Sequence, residues 1–440
     1  MKLNFFSPAD SSNFHRSSAV MLLVLDWTIG CNKKQIFKVL CVLICLNCGI
    51  TITNAQTQIN LQQAIDTALK NNLTIKNEKL NAEYQQKLKA AAVDIPQTNL
   101  TGEYGQINSA YNDTKFGISQ SISFPTVYSK QKLLQNEIYK SSVLNLTMKE
   151  FELKRQVSEV FNLLIYTNEK NNILLKNDSV YASFLEKANL RFVKGETSIL
   201  EKTTAETQRG QIAIQLNQLR NDMGILQLKF QLLLNTTTIY TPTMRNLKMV
   251  FTELLDTSAI SNPALQVLKQ QKEISIAQTR LEKSKLLPNL SIGYYDMSIK
   301  GMGADNVFYN SSTRFNSVQF GLGLPLFFGS QKAKINSSKT LELMSENNYQ
   351  IGLKALDMEY QAAIKLYQMY LQTVKYFEET ALKNATTIIK TANLQFLNGD
   401  INYLEWTMLI NNAVSIQSNY ADAVKDLNHS IIQLIFLTSK

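Results

Sequence analysis

The chain offers little with which to do chemistry. Its only thiols, Cys31, Cys41, Cys45 and Cys48, fall in one N-terminal apolar stretch. Everything after residue 48 therefore lacks a cysteine nucleophile, a disulfide and a thiolate metal ligand. His15 and His429 are the only histidines, too few for imidazole metal sites or general-base chemistry. No Gly-x-x-x-x-Gly-Lys loop offers a cradle for nucleotide phosphates, and no group of carboxylates or nucleophiles reads as a catalytic pocket. An enzyme is not expected, nor a cofactor or a bound metal. The acidic residues that recur in a suggestive setting are Glu201 and Glu405, each six positions beyond a glycine, Gly195 and Gly399.

The composition of the 440 residues, 45% hydrophobic and 18% charged, lies in the ordinary globular range and decides little. Five basic and two acidic residues precede Gln56, so the formal net charge of +10 becomes +7 beyond that point. The excess is spread out with no basic run, and nucleic acid is not an expected partner. Twelve scattered methionines and two histidines give no support for heavy-metal export. Of seven prolines none follows Pro325, which leaves more than a hundred residues without an obligatory helix breaker.

The N-terminal stretch reads as an export signal. Lys33, Lys34 and Lys38 form a charged region and Val39 to Ile52 an apolar one. The small residues Thr53 and Ala55 suit cleavage between Ala55 and Gln56. A membrane-spanning helix needs roughly 20 apolar residues, and this run is shorter and broken by Asn47. Neither Cys45 nor Cys48 follows the small residue that lipid attachment would require. Residues 1–32 precede the charged region, and the start of translation is expected downstream of Met1.

The second half of the chain restates the first at a spacing of roughly 190 to 205 residues. Asn72 to Tyr104, with Pro96, Leu100 and Gly102, resembles Asn262 to Tyr295, with Pro288, Leu290 and Gly293. Phe124-Pro125 followed by Gln131-Lys132 matches Leu324-Pro325 followed by Gln331-Lys332. The segment from Asn189 through Phe192, Gly195 and Glu196 to Leu200-Glu201 matches Asn393 through Phe396, Gly399 and Asp400 to Leu404-Glu405. Each half reads as helix, strand, strand, very long helix, turn, helix.

Those elements set the architecture. From Thr126 to Lys194 there is neither Gly nor Pro, and Leu153, Val157, Val160 and Leu164 recur at spacings of four and three. Ile364, Tyr367, Leu371 and Val374 repeat the pattern in the second half. Such a helix is roughly 100 Å long, too long for one compact core, so the helices are expected to pack as an extended coiled-coil-like assembly. In the strands, Phe116, Ile118, Ile122 and Phe124 alternate with Gly117, Ser119, Ser121 and Ser123. Val318, Phe320, Leu322 and Leu324 alternate with Gln319, Gly321 and Gly323. That dyad pattern, apolar outside and small or polar inside, suits strands of a membrane barrel facing lipid. Taken singly, each pair could equally be a soluble hairpin with one buried face. In lipid, four strands cannot close a barrel, because about eight is the smallest practical number and open edges are not tolerated. Several chains must share one barrel. A dimer supplies eight strands and a cyclic trimer twelve.

With the tandem repeat and the duplicated Phe-x-x-Gly-(Glu/Asp) turn followed by Leu-Glu, the sequence resembles the TolC family of outer-membrane efflux proteins over essentially all of residues 56–440. The resemblance implies a homotrimer with a twelve-stranded barrel in outer-membrane lipid and a twelve-helix periplasmic tunnel. It implies a passive duct that works with a periplasmic adaptor (membrane fusion protein) and an inner-membrane pump of RND or ABC type. It places the turns of Phe192, Gly195 and Leu200 and of Phe396, Gly399 and Leu404 at the adaptor-docking tip. It also suggests that Glu201 and Glu405 form an acidic ring at the periplasmic aperture. Family members often tie the closed tip with a tyrosine or arginine near the second turn, where this chain has Phe396 and Ile401.

The fold class expected is mainly α with a small membrane β part. Residues 1–55 form the N-terminal extension and signal. Residues 56–240 form the first repeat, with strands about 97–124, a long helix about 126–194 and a return helix about 197–238. Residues 241–260 are an equatorial linker. Residues 261–440 form the second repeat, with strands about 289–325, a long helix about 328–397 and a return helix about 401–438. A periplasmic coiled-coil adaptor or scaffold is the competing reading; it would share the helical hairpins but not the lipid-type strand alternation.

Overall fold

The computed structural model describes residues 57–196, 198–243, 246–251 and 262–438. The expected cleavage point at Ala55 and Gln56, and residues 244–245 and 252–260 of the linker, lie outside them. The first repeat comprises β1 (Thr57–Ile59), α1 (Leu61–Asn71), α2 (Leu73–Leu88), β2 (Asn99–Gly105), β3 (Asp113–Ile122), α3 (Pro125–Val193) and α4 (Ile199–Leu234). After β4 (Tyr240–Pro242), the second comprises α5 (Pro263–Ser284), β5 (Asn289–Ser298), the two short strands β6 (Gly301–Met302) and β7 (Phe308–Tyr309), and β8 (Arg314–Gly323). It continues in α6 (Gly329–Tyr376), α7 (Leu382–Asn398) and α8 (Tyr403–Thr438). The fold class is the expected one.

The long helices form where backbone and side chains allow nothing else. Pro125 opens α3 at a position where the missing N–H costs nothing, and the helix then runs 69 residues without a breaker. Leu153, Val157, Val160 and Leu164 are all buried, in one core with Ala64, Ala68, Phe230 and Leu234 of α1 and α4. In the second repeat Val374 is fully buried with Tyr367 packed beside it, Ile364 packs in a neighbouring core with Ala363, Leu434 and Leu437, and Leu371 is exposed. The helix there is also not continuous. A π turn at Phe377–Ala381 separates α6 from α7, an interruption that sequence periodicity did not indicate. Glu378 in this turn receives Lys248 Nζ at 2.8 Å and the Tyr420 hydroxyl at 3.2 Å, which joins the linker, the bulge and α8.

An asparagine sets the join between short and return helices in both repeats. Asn72 accepts from the Thr74 N–H at the start of α2 and donates to the Leu233 carbonyl at the end of α4. Asn262 accepts from the Ala264 N–H at the start of α5 and donates to the Phe436 carbonyl near the end of α8. Each short helix thus meets its return helix end to end, and the two together run alongside the long helices.

Two halves follow from this. Toward the strands, packing runs α2, α3, α5, α6; toward the turns it runs α4, α3, α8, then α6 and α7. Successive helices in the first half share a repeated joint. Buried Glu137 of α3 accepts from Lys140 at 2.8 Å and from Gln270 of α5 at 2.7 Å. Buried Glu282 of α5 accepts from Lys285 at 2.7 Å and from Gln331 of α6 at 2.9 Å. The strands repeat the helix order, as one antiparallel sheet β2-β3-β5-β8. One chain is therefore an open arc in both layers. Its end elements carry exposed apolar side chains, Leu341, Met344, Ile351 and Met358 on α6 and Ile214, Ile225, Leu228 and Leu232 on α4.

Candidate functional site: the two-faced sheet and the helical tip

Strand register decides which side chains share a face. Leu100, Ile118, Tyr294 and Val318 lie in one cross-strand row; Ile122, Leu290 and Leu322 lie in another, with Gln120, Ile292 and Phe320 between them. This face is apolar and exposed, with Phe320 at 78%. Phe116 sits on it one row from Ile118, paired with Gly102 and Asp296. The expected outward residues Phe116, Ile118, Ile122, Val318, Phe320 and Leu322 thus share one face. Phe124 and Leu324 lie past the strand ends, Phe124 as the residue that leads into α3. Sequence reading missed Leu100, Ile292 and Tyr294. The alternation Leu290-Ser291-Ile292-Gly293-Tyr294 carries the signal, but Asp296 breaks it. Asp296 is neutralised by Arg314, which also donates to Thr114 at 2.6 Å. Gln120, the polar member of the apolar rows, is satisfied by Thr98 at 2.6 Å and the Pro96 carbonyl at 2.8 Å.

The opposite face holds Ser119, Gly293 and Gln319 in one row and Ser121, Ser291 and Gly321 in the next. Small and polar residues there, against Ile, Leu, Val and Phe on the first face, give the sheet the two-faced pattern of membrane-barrel strands.

At the other end of the long helices, both turns use one device. Gly195 and Gly399 adopt left-handed backbone, with φ of 75° and 80°. Glu196 N–H bonds the Arg191 carbonyl at 2.8 Å and Asp400 N–H bonds the Gln395 carbonyl at 2.8 Å, the two long-range bonds of a Schellman cap. Glycine is needed because a Cβ clashes with the backbone in this conformation. Leu200 and Leu404 are exposed beside the turns, whereas Phe192 lies under the Lys202 ammonium, 5.5 Å away.

The tip is held together by rings. Phe184 of α3 stacks on Tyr403 of α8 at 4.1 Å and on Trp406 at 5.0 Å, and Phe396 meets Trp406 at 5.5 Å. Trp406 Nε1 donates to Asn393, and the Tyr181 hydroxyl donates to Asn411 across the two hairpins. Ile401 packs against the same cluster. Phe396 and Ile401, at the positions where a polar tie is common, are members of an apolar one.

The two acidic residues differ. Glu405 closes a capping box at the start of α8, accepting from the Asn402 N–H at 2.9 Å while Asn402 Oδ1 accepts from the Glu405 N–H. Glu201 buries Oε2 without a hydrogen-bond partner among the described residues. Burial raises the Tyr403 phenol above its ordinary range, and the Glu201 charge adds to that rise. Among the described residues no group of His, Cys, Asp and Glu could hold a metal, and no helix is long and apolar enough to cross a membrane.

No protein-family model matches the chain, and no curated protein matches it in sequence. Solved structures do match it in three dimensions. The channel protein CusC superposes with a TM-score of 0.73 at 13% identity, over 87% of this chain and 93% of that one. The Campylobacter jejuni outer membrane channel CmeC gives 0.72 at 15% identity, over 86% and 85%. The Neisseria gonorrhoeae outer membrane channel MtrE in its open state gives 0.68 at 14% identity, over 86% and 88%. The sheet order, the paired long helices and these superpositions together identify the fold of this chain as that of the TolC-type outer-membrane channels.

Proposed function

We propose that three copies of the protein form one outer-membrane duct that extends into the periplasm and serves as a passive exit for efflux or secretion. The observation that carries this reading is the sheet, apolar and exposed on one face, small and polar on the other, with unpaired edges at β2 and β8. Exposed apolar strands with open edges are unstable in water and in lipid alike; pairing β8 of one copy with β2 of the next removes every edge. The helical layer has the same open ends, so one rotation closes both, and a cyclic trimer gives twelve strands.

The duct has no motor of its own, so transport is driven by an inner-membrane pump of RND or ABC type through a periplasmic adaptor. The adaptor docks at the Gly195 and Gly399 turns, where Leu200 and Leu404 stand exposed. Glu405, repeated by threefold symmetry, contributes an acidic ring at the aperture. A coiled-coil adaptor or scaffold would be as helical but would have no use for the apolar outer face of the sheet.

Density fractionation of cell membranes, followed by native mass measurement in detergent, tests the reading. A trimer in the outer-membrane fraction is the expected result. Recovery of a soluble protein from the periplasmic extract would reject it in favour of a scaffold.

A further inference from the structure

In the strand-side half, each end of the arc is a helix with an uncovered apolar stripe. At one end α2 buries Ile75 in the core it shares with α3. Leu73, Leu80 and Tyr84 are exposed on its other side, at spacings of seven and four that place them in one line about half a turn from Ile75. At the opposite end α6 lies close against α5, where a Cβ on Gly352 would fall 2.4 Å from Leu268. Ser338 and Ser345 are buried on that same side of the helix. Leu341, Met344, Ile351 and Met358 form a stripe on a different flank and are exposed.

An asparagine interrupts each stripe. Asn77 falls between Leu73 and Leu80, and Asn348 between Met344 and Ile351, each at the four-then-three spacing of a packed helical seam. Both are exposed. They also lie at matching depth. Asn77 is 22 residues before the start of β2 and Asn348 is 25 residues beyond the end of β8. Within the chain, Gln270 lies 19 residues before β5 and bonds Glu137, 15 beyond β3. Lys272 lies 17 before β5 and pairs with Glu346, 23 beyond β8. The two asparagines fall inside that spread.

We propose that α6 of one copy packs antiparallel on α2 of the next along these stripes, and that Asn348 and Asn77 pair across the seam and set its register. The proposal rests on the reading of the chain as a trimer closed through its open ends. Two facing amides satisfy each other, whereas a slipped seam buries each of them against leucine or methionine. The choice of register reaches the membrane. The helices continue into β2 and β8 through residues 93–98 and 324–328, and a one-residue slip between those strands would turn apolar side chains to the wrong face. The asparagines thus select one closure of the barrel from a distance.

Native mass measurement in dilute detergent reads the monomer–trimer balance of the unsubstituted protein, Asn77→Leu, Asn348→Leu and the double variant. Each single variant leaves one amide buried without its partner, so the ratio of trimer to monomer should fall about tenfold. The double variant removes both amides and should regain the unsubstituted ratio. Equal ratios in all four proteins would overturn the pair and leave the trimer standing. Because no cysteine follows Cys48, introduced thiols give a second measurement. On oxidation Asn77→Cys with Asn348→Cys should yield covalent trimers, while Tyr84→Cys with Asn348→Cys, displaced by two helical turns, should not. Crosslinking of the second pair without the first would overturn the register. An unsubstituted protein found only as monomer would overturn the trimeric duct and the seam with it.

Discussion

Phe184 of α3 and Tyr403 of α8 lie face to face, 4.1 Å apart with planes 14° from parallel, and so bind the two helical hairpins of one chain at their tip. Both residues are buried. Truncating Phe184 to alanine leaves a ring-sized cavity, a change that costs about 3–5 kcal/mol in a well-packed core. Amide exchange in the first turns of α8 should accelerate, while exchange around Phe230, in a separate core, should not change. Uniform acceleration in both regions would mean that the cluster is not a local clasp.

The two faces of β8 predict opposite tolerance for charge. A lysine on the lipid side near the bilayer centre costs about 2–4 kcal/mol per copy. Phe320→Lys should abolish trimer assembly and Gln319→Lys should permit it. The trimer yield in detergent measures the difference, and equal yields would reverse the face assignment.

The φ of 80° at Gly399 predicts a local defect in its turn. A β-branched residue there is strained by about 1–2 kcal/mol, at a position with nothing packed above it. Gly399→Val should leave trimer abundance normal and reduce adaptor crosslinking. Crosslinking at the unsubstituted level would remove this turn from the docking surface.

Glu405→Gln separates charge from capping, because glutamine keeps the reciprocal bond with Asn402. The helix start should therefore remain intact, while cation selectivity and block by trivalent ions from the periplasmic side should weaken. Single-channel recording gives both quantities; unchanged values would place Glu405 away from the aperture.

Glu282 predicts an acid-dependent joint between α5 and α6. Burial acts to raise its carboxyl, but hydrogen bonds from Lys285 and Gln331 outweigh it and hold the group below its ordinary value of 4.5. A carboxylate lowered by folding stabilises the native state above its ordinary value, and that contribution fades as pH falls through the lowered one. Glu282→Gln should lose about 2 kcal/mol at neutral pH. The gap to the unsubstituted protein should shrink as pH falls below the ordinary carboxyl value of 4.5 and close once it has passed through the lowered one. Thermal melts across this range check the sign: a gap that widens toward acid would contradict it.

The sequence by itself determined the elements and their duplication, because those are written in local terms. The breaker-free run from Thr126 to Lys194, the buried seam of Leu153, Val157, Val160 and Leu164, and the period-two strand around Phe320 each depend only on neighbours within two turns or one pleat. Gly195 and Gly399 announced the reversals because a left-handed cap has a one-residue signature. Tertiary structure alone decided what lies across a gap in sequence. The register that aligns Ile118 with Tyr294 and Val318 depends on three strands at once. The stack of Phe184 on Tyr403 joins side chains 219 positions apart, and no spacing rule reaches that far. The π turn at Phe377–Ala381 was equally hidden, since one extra residue per turn leaves no mark in composition and is fixed by packing against Lys248 and Tyr420.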